Sequence, residues 1–255
     1  MISTHIAPRL PKGGLWILIL SCIVLGHTSC SKEKTPDIIT PEPDTTVFAE
    51  IVYDGFTVKI REYLKNTPDA TAALNLMKAN LDTIMTVVPD TFLTVMRKNP
   101  IWMEKDVKPD GAAWYHVSEQ WLIENHMDPR KVKCVEICNY VNYVSWTQQN
   151  QPYMVLHELC HLYHDQALSF DYPPIIAAYQ NACSSGLYKN TERYDGYGRY
   201  STTASAYALT DHKEYFAELS EAYWGRNDYF PYTRQELKTY DPTGFAVLEQ
   251  IWKVK

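Results

Sequence analysis

The chain has 255 residues, 45% of them hydrophobic and 21% charged, with only 10 Gly and 15 Pro and a formal net charge of −6. That length fits one domain or two small ones, and the apolar share supplies a core, which excludes disorder as the main state and the collagen-like and low-complexity classes. The acidic balance leaves no basic footprint for nucleic acid, which is excluded as a partner. Aromatics reach 13%, fitting either an aromatic core or a surface that handles peptides or sugars.

Arg9 and Lys12 precede an apolar run over 15–25, broken only by Ser21 and Cys22. A basic start followed by about 7–15 apolar residues reads as a secretory signal; a spanning helix needs about 20. Leu25-Gly26-His27-Thr28-Ser29-Cys30 resembles a bacterial lipoprotein box, with His27 where an aliphatic residue is usual. The resemblance implies export, lipidation of Cys30 and anchoring to a bacterial membrane; Cys22 is a second candidate. Ser31-Lys32-Glu33-Lys34 resembles the charged signal that sends such proteins to the cell surface. Residues 1–29 are therefore read as a lipoprotein signal peptide, 30–46, with Pro36, Pro41 and Pro43, as a tether, and 47–255 as the globular domain. Cys134, Cys138, Cys160 and Cys183 then remain. Disulfides and free buried thiols are both open, and the lack of a CxxC pair argues against a cysteine zinc site.

In chain order, 47–52 and 56–60 read as strands about the turn signal Asp54-Gly55. Thr67-Pro68-Asp69 starts a helix, with Leu74, Met77, Leu81, Ile84 and Met85 at helical spacing up to Pro89. A shorter helix over 91–98, a strand over 101–104, a loop at 108–111 and a helix over 118–125 follow. Residues 132–137 and 139–146 read as β. Helices are predicted over 153–167, near 175–183, over 211–224 and over 243–252, with a Tyr- and Gly-rich loop over 188–207. Strands early and helices late make an α+β pattern.

The informative motif is His157-Glu158-Leu159-Cys160-His161. Residues four apart on a helix lie about 40° apart around the axis and about 6 Å along it, so both imidazoles can meet one metal ion. Glu158 can then reach a water on that ion and act as general base. Two structural His on a buried helix would give the same five residues, so context must decide. A third ligand is sought on the later helix, where Glu214, Glu218 and Glu221 share a face. Glu214 could instead close a capping box with Asp211. His164 is an accessory ligand or, the favoured reading, a core His; Cys160 reads as a small core residue.

The motif, with Tyr207-Ala208-Leu209-Thr210-Asp211-His212-Lys213-Glu214-Tyr215-Phe216-Ala217-Glu218, resembles the gluzincins, zincin metallopeptidases whose third ligand is a Glu, and among them is similar to the catalytic domain of anthrax lethal factor. The likeness covers about 130–225. It implies a zincin-like fold, with a mixed sheet beside an active-site helix, and a zinc ion held by His157, His161 and Glu214. It further implies Glu158 as the base, Tyr207 as donor to the oxyanion, and Glu218 as a carboxylate beside a ligand His.

In that family a peptide adds to a sheet edge beside the helix; 139–146 is the expected edge and 188–207 the expected opposite rim. The function expected is zinc-dependent hydrolysis of peptide bonds, with a peptide or protein as substrate. The alternatives are an amide hydrolase acting on peptidoglycan and a non-catalytic surface lipoprotein with a structural metal site, against which the intact Glu158 argues.

Overall fold

The computed structural model describes residues 46–253. The signal peptide, Cys30 and the tether before Thr46 lie outside the described residues.

Strands β1 (Phe48–Tyr53) and β2 (Phe56–Arg61) form an antiparallel hairpin. Asp54 and Gly55 turn it with φ of 43° and 84°, the doubly left-handed turn that Asp-Gly favours because its twist matches the strands. Helix α1 (Pro68–Val87) starts where the sequence places it: Thr67 Oγ1 accepts from Ala70 N, and Pro68 opens the first turn. Its buried stripe is Ala70, Ala73, Leu74, Met77, Leu81 and Ile84. Then come α2 (Asp90–Met96), β3 (Ile101–Met103), β4 (Ala113–Tyr115), α3 (Glu119–Glu124) and β5 (Val135–Ile137).

The five strands lie in the order β1-β2-β3-β5-β4, with β2, β3 and β5 parallel and the two outer strands antiparallel to their neighbours. The fold is thus α+β around a mixed sheet. Phe56, Val58 and Ile60 alternate into the core from β2, as a half-buried strand requires.

The expected edge strand over 139–146 is instead helix α4 (Tyr140–Gln149). Tyr and Val at 140, 141, 143 and 144 satisfy both periods. Capping settles the choice: Asn139 Oδ1 accepts from Val141 N and Asn142 N, both at 3.1 Å. Tyr140, Tyr143 and Thr147 then share the buried face, and Tyr143 Oη accepts from Asn80 Nδ2 of α1 at 2.8 Å.

Helix α5 (Met154–Tyr163) carries the metal motif, and all ten of its residues are buried. It runs into a π-helical turn, His164–Leu168, and then to α6 (Pro173–Ser184). The Tyr- and Gly-rich segment is a second hairpin, β6 (Lys189–Gly196) and β7 (Arg199–Ser205). Its turn is built from three left-handed residues, Gly196, Tyr197 and Gly198. Helices α7 (His212–Trp224), α8 (Arg234–Tyr240) and α9 (Pro242–Ile251) complete the fold.

A Cβ on Gly225 would lie 1.9 Å from Tyr153 Cζ. Only glycine there lets the start of α5 meet the end of α7. Among the described residues the cysteines are free, with Cys134, Cys138 and Cys160 buried, and no helix is long and apolar enough to cross a membrane.

Candidate metal centre

His157 and His161 project from α5 onto the first turn of α7. Their Nε2 atoms are 3.1 Å apart, and Glu214 Oε2 lies 3.0 Å from His157 Nε2 and 3.1 Å from His161 Nε2. Two imidazole nitrogens and a carboxylate oxygen thus converge from two helices. Ligand atoms about 2.0–2.2 Å from a zinc ion at tetrahedral angles stand about 3.3 Å from one another, so the donor set and spacing fit such an ion. Burial opposes charge on Glu214, but hydrogen bonds to both His hold its carboxyl far below the ordinary range. Burial likewise opposes charge on His157, and Glu214 and Glu221 outweigh it, so its pKa lies well above the ordinary value.

Glu214 does not close a capping box. Asp211 alone caps α7, Oδ1 accepting from Lys213 N at 2.7 Å and Glu214 N at 3.0 Å. That leaves the Glu214 carboxylate to the imidazoles.

The carboxylate hydrogen-bonded to the far side of His157 is Glu221, not Glu218. Glu221 Oε1 is 2.7 Å from His157 Nδ1, while Glu218 Oε1 is 3.7 Å away. Helix geometry explains the difference: seven residues fall about 20° short of two turns, whereas four overshoot one turn by about 40°. Glu221 therefore stacks more nearly in line with Glu214. The sequence shows Glu221 on the right face, but the spacing alone does not rank the two acids.

Glu158 is 8% exposed, and its carboxylate makes no hydrogen bond among the described residues. Burial raises its pKa against the pull of His157 and His161, a state suited to a general base. Tyr207 follows β7 in a short 3₁₀ turn. Its ring centre lies 6.2 Å from that of His157. Burial and the charge of Glu214 push its hydroxyl pKa up, so it stays a donor.

His164 is not part of this cluster. It is fully buried among Phe170, Phe216 and His212, and neither ring nitrogen has a partner. Burial lowers its pKa to about 3, so it is a neutral core His. Cys160 is fully buried too, its thiol pushed up to about 12 by burial.

His157, Glu158, His161, Tyr207, Glu214 and Glu218 all line one cleft of about 490 Å³. Its opposite wall is β4, with Ala113, Trp114 and Tyr115. The main chain of the even residues turns to β5: Cys138 N donates to Ala112 O, and His116 N donates to Cys134 O, each at 3.0 Å. Ala113 and Tyr115 therefore present their N–H and C=O groups on the unpaired edge.

That edge is pinned by a buried polar network. Glu136 of β5 accepts from Trp114 Nε1 at 2.7 Å, lies 2.6 Å from His116 Nε2 and is ion-paired to Lys131. Lys131 also bonds Glu104 at 2.9 Å, and Arg61 bonds Glu104 through two nitrogens. Neither β4 nor this network is legible beforehand: Ala113-Trp114-Tyr115 shows no apolar–polar alternation, and the network joins side chains far apart in sequence.

No protein-family model, curated protein or solved structure matches the chain.

Proposed function

We propose that the chain is a zinc-dependent metalloendopeptidase of the gluzincin type, with a zincin-like fold. The supporting observation is the convergence of His157, His161 and Glu214 within 3.1 Å, on one cleft with an unbonded Glu158, Tyr207 and a free strand edge.

Zinc bound there supplies a Lewis acid and brings the pKa of its water near 7. The chain does the rest. An extended peptide pairs with Ala113 and Tyr115 of β4, which holds the scissile carbonyl beside the three ligands. Glu158 takes the proton of the attacking water and later delivers it to the leaving amine. Tyr207 donates a hydrogen bond to the oxyanion of the tetrahedral intermediate. Glu221 accepts from His157 Nδ1, which fixes the tautomer that leaves Nε2 free to bind. The lipoprotein reading belongs to the same proposal: export, and a lipid on Cys30 that holds the enzyme at a bacterial membrane.

The test is digestion of a diverse peptide library with products read by mass spectrometry, beside a Glu158→Gln variant and a chelated sample. Cleavage lost in both controls is the expected result. A folded, zinc-loaded chain that cleaves nothing refutes it.

A further inference from the structure

We propose that the end of the cleft beside the first turn of α5 is a subsite for a Lys or Arg side chain, on the carboxyl side of the cleaved bond. The proposal rests on the endopeptidase reading and names its substrate class.

Direction comes first. Tyr115 Oη donates to Asp165 at 2.7 Å, which places that end of β4 beside the C-terminal end of α5. Ala113 therefore lies toward the N-terminal end of α5. A peptide pairing antiparallel to β4 runs the other way, so its carboxyl-terminal half extends toward Met154 and Trp146.

That end of the cleft is acidic. Glu218, Glu221 and Asp228 all line it and are 3%, 5% and 4% exposed. Their partners differ. Glu221 is engaged by His157. Asp228 Oδ2 accepts from Arg193 Nε and Nη2 at 3.0 Å and from Asn150 Nδ2 at 3.2 Å. Among the described residues Glu218 has no cation of its own: Oε2 accepts from Asn227 Nδ2 at 3.1 Å, and Oε1 accepts no hydrogen bond. His157 Nδ1, 3.7 Å from Oε1, is already directed at Glu221.

These three buried carboxylates are bonded by one guanidinium and one imidazole, whose other nitrogen belongs to the metal triad; of the lysines that also line the cleft, Lys213 pairs with Asp211 and Lys108 stands over the Trp114 ring. Glu218 lines the cleft, so its Oε1 is open to a donor carried by a ligand. A ligand ammonium or guanidinium supplies both the missing charge and the missing hydrogen bond. Trp146, Met154 and Tyr229 line the same cleft, giving apolar surface for the methylene stem such a side chain carries.

The test uses the full zinc-loaded chain and a peptide library scanned position by position with Lys, Arg, norleucine and Glu. One arm reads cleavage by mass spectrometry. The other reads binding of the same library to the Glu158→Gln variant. Lys and Arg are expected to be favoured over norleucine about tenfold or more within two residues after the cleaved bond. In Glu218→Gln, checked for zinc content and melting temperature, that ratio falls to about twofold. Cleavage without basic preference, or a preference untouched by Glu218→Gln, overturns the subsite and leaves the peptidase standing. No cleavage at all refutes the peptidase, and the binding arm then decides alone: binding without basic enrichment, or no binding, overturns the subsite as well.

Discussion

The assignment of Glu221 rather than Glu218 as the carboxylate orienting His157 can be tested without any substrate. Glu221 Oε1 lies 2.7 Å from His157 Nδ1, and the pair is buried. Such a charge-assisted bond is worth about 1.5–3 kcal/mol. Glu221→Gln keeps the shape and removes the charge, and its amide can present a donor where an acceptor is needed. Losing the partner of a ligand His typically costs about 10–100-fold in metal affinity. At about 1.4 kcal/mol per tenfold the two scales agree. Glu218 sits 3.7 Å from the same nitrogen, beyond hydrogen-bonding distance, so Glu218→Gln should cost less than about threefold by the same reasoning. The assay is competitive zinc titration against a chromophoric chelator, with Glu214→Gln as the severe reference. Equal losses in Glu218→Gln and Glu221→Gln, or an unchanged affinity in Glu221→Gln, would refute the reasoning.

Glu158→Gln should retain zinc, measured by atomic emission, while hydrolysis falls by about 10²–10⁴-fold, the usual contribution of a general base. Tyr207→Phe should lower kcat by about 10²–10³-fold with KM little changed, because its hydroxyl is needed only by the oxyanion; an unchanged kcat would remove Tyr207 from the site. Burial opposes charge on Glu136, yet bonds from His116 and Lys131 hold its carboxyl below 4.5, so its contribution to stability is present above that value and lost as pH falls through the folded one. Urea midpoints should therefore drop below about pH 4.5, and Glu136→Gln should flatten that drop while costing at most about 3–5 kcal/mol at neutral pH, because Lys131 loses one of its two buried carboxylate partners and keeps Glu104; an unchanged pH slope would refute the network's role.

What the sequence disclosed follows from which features are local. Thr67-Pro68, Asp54-Gly55 and Asp211 act within three or four residues, and each cap or turn forms where expected. His157 and His161 are bound by helix geometry alone, so their convergence was readable. The edge strand was not. Residues 139–146 carry a pattern compatible with strand and helix, and the Asn139 cap that decides between them is a side-chain bond to two backbone N–H groups. The hairpin over 188–207 is hidden because β7 is mostly exposed, so no apolar alternation marks it. Asp228 is brought to the cleft by contacts distant in sequence, the bond from Tyr194 N to Asp228 O and the side-chain bonds from Arg193 and Asn150, which no local rule anticipates.

The shortness of β4 raises a question of rigidity. A three-residue edge strand gains little from its ladder and would fray in isolation. Its stiffness comes instead from side chains that cross the sheet: Trp114 and His116 both bond Glu136, which is fully buried on β5. Tyr115 is tied on the other face to Asp165, and Lys133 pairs with the same carboxylate at 2.6 Å. The edge is thus held from both faces while its outward N–H and C=O groups stay unpaired. A strand ordered in advance costs an incoming peptide less entropy than one ordered on binding. The buried ion network, in itself weak evidence for stability, is placed where it makes the proposed substrate-binding edge rigid.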